Sequence, residues 1–205
     1  MMKSLGAAVA VAALASMAVP AAAQQINFIG STDGSFGAGS PGNSASLGGL
    51  AFLDSTFNVT TSNGFVGIGA MATVPNVDNL GSFSLSGSPF NYTGAIFNLL
   101  VSFTAPAGTA PGNTLITSNL TGSVTANDIG GVEIDFDNSL RNFTFNGGSF
   151  NFRVADVNVT AGAPPVAITG NIRAVPGPIA GAGLPVLMAL GGFVWLRRRY
   201  ATKVA

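Results

Sequence analysis

The chain has no histidine and no cysteine, and residues 24–174 have no lysine. Without imidazole or thiol, Ser-His-Asp and Cys-His catalysis are excluded, as are the usual zinc and copper ligand sets. Without lysine in that stretch, Schiff-base chemistry is excluded as well. Carboxylates are the only groups left for proton transfer. The lack of cysteine also removes a disulfide framework, so stability must come from core burial and backbone pairing.

Large amphipathic rings are nearly absent too. The one tryptophan is Trp195, and between residues 24 and 174 the one tyrosine is Tyr92. Sugar-binding faces commonly stack on such rings, and the phenylalanines sit mostly at inward strand positions. Specific saccharide recognition therefore has thin support in the residues. Positive charge is equally scarce. Residues 24–174 hold eight carboxylates against three arginines (Arg141, Arg153 and Arg173), a net charge of −5. A lysine-free, acidic domain cannot neutralise phosphates by counterion release, so nucleic acid and anionic membrane surfaces are poor partners, and no nucleic acid is expected.

Both ends of the chain are apolar and carry the basic groups missing from the middle. Lys3 precedes an apolar stretch over residues 5–19, and Ala21-Ala22-Ala23 supplies small residues for cleavage. This is the pattern of a secretory signal peptide, residues 1–23, handled by the Sec translocon and signal peptidase. Ala21 and Ala23 are the small residues of the cleavage site, and cleavage after Ala23 makes Gln24 the mature start. The apolar stretch is too short for a spanning helix. At the other end an uncharged run at 179–196 is followed by Arg197-Arg198-Arg199. Eighteen residues of helix rise about 27 Å, close to the roughly 30 Å hydrocarbon core of a bilayer. The arginines would stay on the cytoplasmic side, leaving the preceding domain outside.

Between these ends, residues 24–174 read as one domain with one core. The periodicity is that of strands, with no helical period over three turns. Ile26 to Ile29 is predicted as a short strand, and the Gly/Ser-rich residues 30–49 as a loop. Phe57 and Val59 alternate up to the turn signal Ser62-Asn63-Gly64, after which Val66 and Ile68 continue. Phe83 and Leu85 mark another strand, and Phe97, Leu99, Val101 and Phe103 a longer one ending at Pro106. Residues 120–125 give a weaker strand, because Gly122 interrupts its inward side. Phe143 to Phe145 and Phe150 to Val154 flank Asn146-Gly147-Gly148, a hairpin signature. A phase shift to Val157 and Val159 predicts a β-bulge at Ala155-Asp156. Val166, Ile168 and Ile172 predict a last strand running into Val175. About nine strands with turn signals between them describe an all-β fold, an antiparallel sandwich or jelly-roll-like domain.

The clearest strand is Val132-Glu133-Ile134-Asp135-Phe136-Asp137, whose apolar groups face inward and carboxylates outward. With Asp128 close by, Glu133, Asp135 and Asp137 form the one candidate metal set, suited to a hard cation such as Ca²⁺. The competing reading is a solvated outer face that discourages aggregation. No full calcium-loop motif accompanies it, and no other cofactor is indicated.

Immediately before the apolar run stands Val175-Pro176-Gly177-Pro178. A Pro-Gly-Pro block, one membrane span and a terminal arginine cluster, in that order over residues 175–205, resemble the PEP-CTERM sorting tail of Gram-negative bacteria. Gly177 stands where the name-giving motif has Glu, and the run from Val175 to Pro185 resembles a Gly-containing variant of the family. Leu184-Pro185-Val186-Leu187 is no sortase signal, and a lipid-anchor tail would not end in arginines. The resemblance implies recognition and cleavage by an exosortase, a membrane-embedded transpeptidase-like enzyme. It also implies association with exopolysaccharide and the biofilm matrix. The expectation is thus a non-enzymatic, exported envelope protein, held transiently in the inner membrane and then at the cell surface or in the matrix. The alternative is a Ca²⁺- or saccharide-binding sandwich that stays anchored in the inner membrane and faces the periplasm.

Overall fold

The structure, a computed structural model, describes residues 25–42, 44–127 and 129–176. The expected leader at 1–23, the span at 179–196 and the arginines at 197–199 lie outside the described residues. Among the described residues every regular element is a strand, and no helix is long and apolar enough to cross a membrane.

Among the described residues sixteen strands follow one another, where the periodicity predicts about nine. The first eight are β1 (Asn27–Phe36), β2 (Ser44–Leu47), β3 (Leu50–Leu53), β4 (Ser55–Thr60), β5 (Phe65–Ile68), β6 (Asn76–Val77), β7 (Ser82–Leu85) and β8 (Phe90–Asn91). The others are β9 (Ile96–Ala105), β10 (Asn113–Thr125), β11 (Ile129–Phe136), β12 (Arg141–Phe145), β13 (Gly148–Val154), β14 (Val157–Thr160), β15 (Val166–Ala167) and β16 (Gly170–Pro176). They form a large curled sheet, ordered β14-β11-β10-β9-β1-β4-β6 with β8 beside β10. Two four-stranded sheets accompany it, β12-β13-β16-β5 and β15-β7-β3-β2. Pairing is antiparallel except between β4 and β6. The fold is all-β and sandwich-like.

Phenylalanine rings join the layers. Phe28 and Phe103 of the large sheet pack edge-on against Phe150 of β13, with centroids 4.8 and 5.1 Å apart. At the other end Phe97 of β9 meets Phe52 of β3 and Phe83 of β7, at 5.0 and 4.9 Å. The large sheet thus has two separate covers, and its long strands reach under both.

The Gly/Ser-rich stretch corrects the sequence reading. Residues 30–36 are not a loop but the body of β1, paired to β4 on one side and β9 on the other. The reason is steric. A Cβ at Gly34 would stand 2.6 Å from the Phe52 ring and 2.7 Å from Phe97. One at Gly30 would collide with the Phe57 ring and the Ser102 carbonyl. These glycines are seats for rings contributed by distant strands, and Gly beside a ring is what β1 needs. Thr32, between them, is buried and its Oγ1 accepts from the Ser55 backbone N–H at 3.1 Å. Further along the supposed loop comes β2, and β3 begins just after it at Leu50.

Two other expectations change. The Ala155-Asp156 phase shift is not a bulge: β13 ends at Val154 in one sheet, and β14 begins at Val157 beside β11 in the large sheet. Asp156 fixes this corner, because its Oδ1 accepts the Phe136 N–H at 2.9 Å. The irregularity that does occur lies between Ile29 and Gly30. The last predicted strand divides into β15, which pairs with β7, and β16, which pairs with β13 and β5. By contrast, Ser62-Asn63-Gly64 makes the expected turn, with Asn63 and Gly64 at positive φ, and Asn146-Gly147 closes the β12–β13 hairpin.

Candidate functional site

The carboxylate strand is placed as the alternation predicts. Val132, Ile134 and Phe136 are buried, and Glu133 and Asp135 are exposed on the outer side of the large sheet. Glu133 stands opposite Thr121 and Asn158, and Asp135 opposite Asn119. Asp137 falls just past β11 and turns to a different task. One oxygen accepts the Ser139 N–H at 2.8 Å and the other meets the Arg141 guanidinium at 2.6 Å. Hydrogen bonding from Ser139, with the Arg141 charge adding, holds this carboxyl below its ordinary value. Asp128 lies outside the described residues. Among the described residues no group of three or more His, Cys, Asp or Glu stands close enough to hold a metal ion.

The grooves beside β9 and β5 do not gather carboxylates either. One of about 510 Å³ beside β9 is lined by Phe36, Leu47, Ile96, Asn98 and Thr117. Another of about 480 Å³ beside β5 includes Asp78, whose Oδ1 already accepts the Asn58 N–H at 2.9 Å. Tyr92 is wholly buried, and its hydroxyl accepts the Gly49 N–H at 3.0 Å. It therefore presents no surface to a sugar.

The expected sorting motif begins inside the folded domain. Val175 is the exposed penultimate residue of β16, opposite Ser149, and Pro176 stands opposite Gly148. Gly177 and Pro178 lie outside the described residues, as do Ala21, Ala23, Gln24, Arg197, Arg198 and Arg199.

A second constellation escaped the sequence reading. On the outer side of the β12-β13-β16-β5 sheet, Asn142, Asn151, Arg173 and Phe65 form one row across four strands. In the adjacent row Arg153 stands opposite Asn171. The signal was present in the repeated triplets Asn151-Phe152-Arg153 and Asn171-Ile172-Arg173, each a strand segment with its polar ends outward. Which strand lies beside which is what makes them one surface. Arg141, the third arginine, is set apart. It stands opposite buried Phe152, so its stem follows the inner side of the sheet and its Nε is buried without a partner among the described residues.

Set beside family models, curated proteins and solved structures, the chain matches none.

Proposed function

We propose that this is an exported, non-enzymatic protein of the bacterial envelope. In this reading a jelly-roll-like domain is released from its leader by signal peptidase. It is then sorted by a C-terminal tail that an exosortase processes. The domain is finally held at the surface or in the exopolysaccharide matrix. The observation that carries the reading is the fixed order Val175-Pro176-Gly177-Pro178, apolar run, Arg197-Arg198-Arg199. The fold is compatible with it in one respect: β16 ends at Pro176, so only two residues stand between the last strand and the apolar run that starts at Ile179. Short tethers of this kind place a domain against the membrane that holds its processing enzyme.

The test is the intact mass of the protein recovered from membrane, periplasm and medium. The expected species begins at Gln24 and lacks the residues following Pro178. A protein found only in the inner membrane and still carrying Arg197-Arg198-Arg199 would be an ordinary anchored domain, and the proposal would fail.

A further inference from the structure

We infer that the outer side of the β12-β13-β16-β5 sheet binds a carboxylated polysaccharide. The inference stands on that sheet and is independent of how the tail is processed. Two arginines, three asparagines and one phenylalanine are arrayed there on a regular lattice. Neighbouring strands are about 4.8 Å apart, and residues two apart along a strand about 6.8 Å. Arg173 stands opposite Asn151, two residues before Arg153, so the two arginines are diagonal neighbours about 7–8 Å apart.

Each residue type has a part in such recognition. Arg153 and Arg173 are exposed, and among the described residues neither has an ion-pair or hydrogen-bond partner. A guanidinium offers a planar fork that fits a carboxylate through two hydrogen bonds. Asn142, Asn151 and Asn171 each offer both donors and an acceptor, which suits hydroxyl groups that also do both. Phe65 is 55% exposed at the end of the row, a large ring left where a sugar's C–H face can pack. No carboxylate lies in these rows, although the exported part of the chain carries eight. A polyanion is therefore repelled over most of the domain and attracted at this face, which fixes its docking position. With two arginines the face is too weakly cationic for nucleic acid, whose binding rests on many phosphate contacts.

The experiment uses the full-length protein in neutral detergent, passed over immobilised polygalacturonate, its methyl ester and polyglutamate. Affinity for polygalacturonate should exceed that for the other two by about tenfold or more, and should fall as salt screens the arginines. Replacing Arg153→Ala together with Arg173→Ala should remove that preference. Phe65→Ala should weaken binding a few-fold and leave its salt dependence unchanged. If the double arginine variant loses its β-sheet circular dichroism, Asn151→Ala with Asn171→Ala provides the second reading, since both charges remain. That variant should lose affinity a few-fold, and unchanged affinity would overturn the inference. Equal binding to the methyl ester would show that the carboxylate is not read, and equal binding to polyglutamate that the sugar is not. Either result sinks the proposal. So does self-association that both the arginine variant and Glu133→Gln with Asp135→Asn abolish, because the occupant would then be β11 of a second copy.

Discussion

The two covers of the large sheet solve the same problem inside and diverge outside. Strand β9 serves both. Its Phe97 touches Phe36, Phe52, Phe83 and Phe136, and its Phe103, six residues on, touches Phe57, Phe143, Phe150 and Phe152. Each half is a ring cluster around one hub. On their outer sides the covers share little. The β15-β7-β3-β2 sheet shows Ser46, Ala51 and Ser84 in one row and Ser44 and Leu53 in the next, where Ser82 is buried against Asn76, and neither row carries a charge. The β12-β13-β16-β5 sheet shows arginine, asparagine and phenylalanine. Core packing demands apolar volume and is indifferent to which half supplies it. Differences between the outer surfaces have no such explanation, and function is to be sought there.

The hubs give the largest test of this symmetry. Phe97→Ala and Phe103→Ala should each cost about 3–5 kcal/mol, as loss of a fully buried ring does. Urea unfolding would measure both. If the halves are one cooperative unit, either variant lowers hydrogen-exchange protection in both covers. Loss confined to one cover would show two independent units joined by β9.

A glycine pair sharpens the contrast between inside and outside. Gly30→Val drives a side chain into the Phe57 ring and the Ser102 carbonyl, and should cost at least about 2 kcal/mol. Gly67, on the outer side of β5, has open space at its Cβ position. Gly67→Ala should be neutral or stabilise by up to about 1 kcal/mol through the unfolded chain. Thermal unfolding of the two variants, run side by side, decides whether burial and not glycine content sets the cost.

Smaller effects are expected at the charged positions. Removing Arg153 and Arg173 together should leave stability within about 0.5 kcal/mol, since neither contributes to the core. A larger loss would mean that the face has a structural role. Asp137→Asn breaks an exposed ion pair and a turn hydrogen bond, and should cost only a few tenths of a kcal/mol. Because the folded carboxyl titrates below its ordinary value near 3.9, its contribution is present above that pH. It is lost as pH falls through the lower, folded-state value. Wild type and variant should therefore converge in stability at acid pH, and a gap that widens there would refute the assignment.

Local alternation was enough to read β11, the β12–β13 hairpin and the Ser62-Asn63-Gly64 turn. In each, the inward residues are large and apolar and the turn residues are of types that tolerate positive φ. It was not enough for β1, whose inward positions after Phe28 are Gly30, Thr32 and Gly34. Their burial depends on Phe57, Phe52 and Phe97, which arrive from other strands. β10 was read only in part for a similar reason: Ile116 and Leu120 face inward with Ser118 between them, and that hydroxyl is satisfied by the Phe97 carbonyl at 3.1 Å. The carboxylate strand was legible residue by residue. The arginine–asparagine face was not, since its members come from four strands spread between residues 65 and 173.

By composition and pattern alone, the chain determined its all-β class, its lack of imidazole and thiol groups, and the order of its terminal apolar and basic segments. These depend on which side chains exist and on spacing along one strand, which are local properties. Only the tertiary structure decided that glycines would form a central strand and that a phase shift would be a change of sheet. It also decided that Arg153 and Arg173 would share a surface. Each of these is set by strand neighbours far apart in sequence, and pairing across a sheet is not written in the period of any single strand.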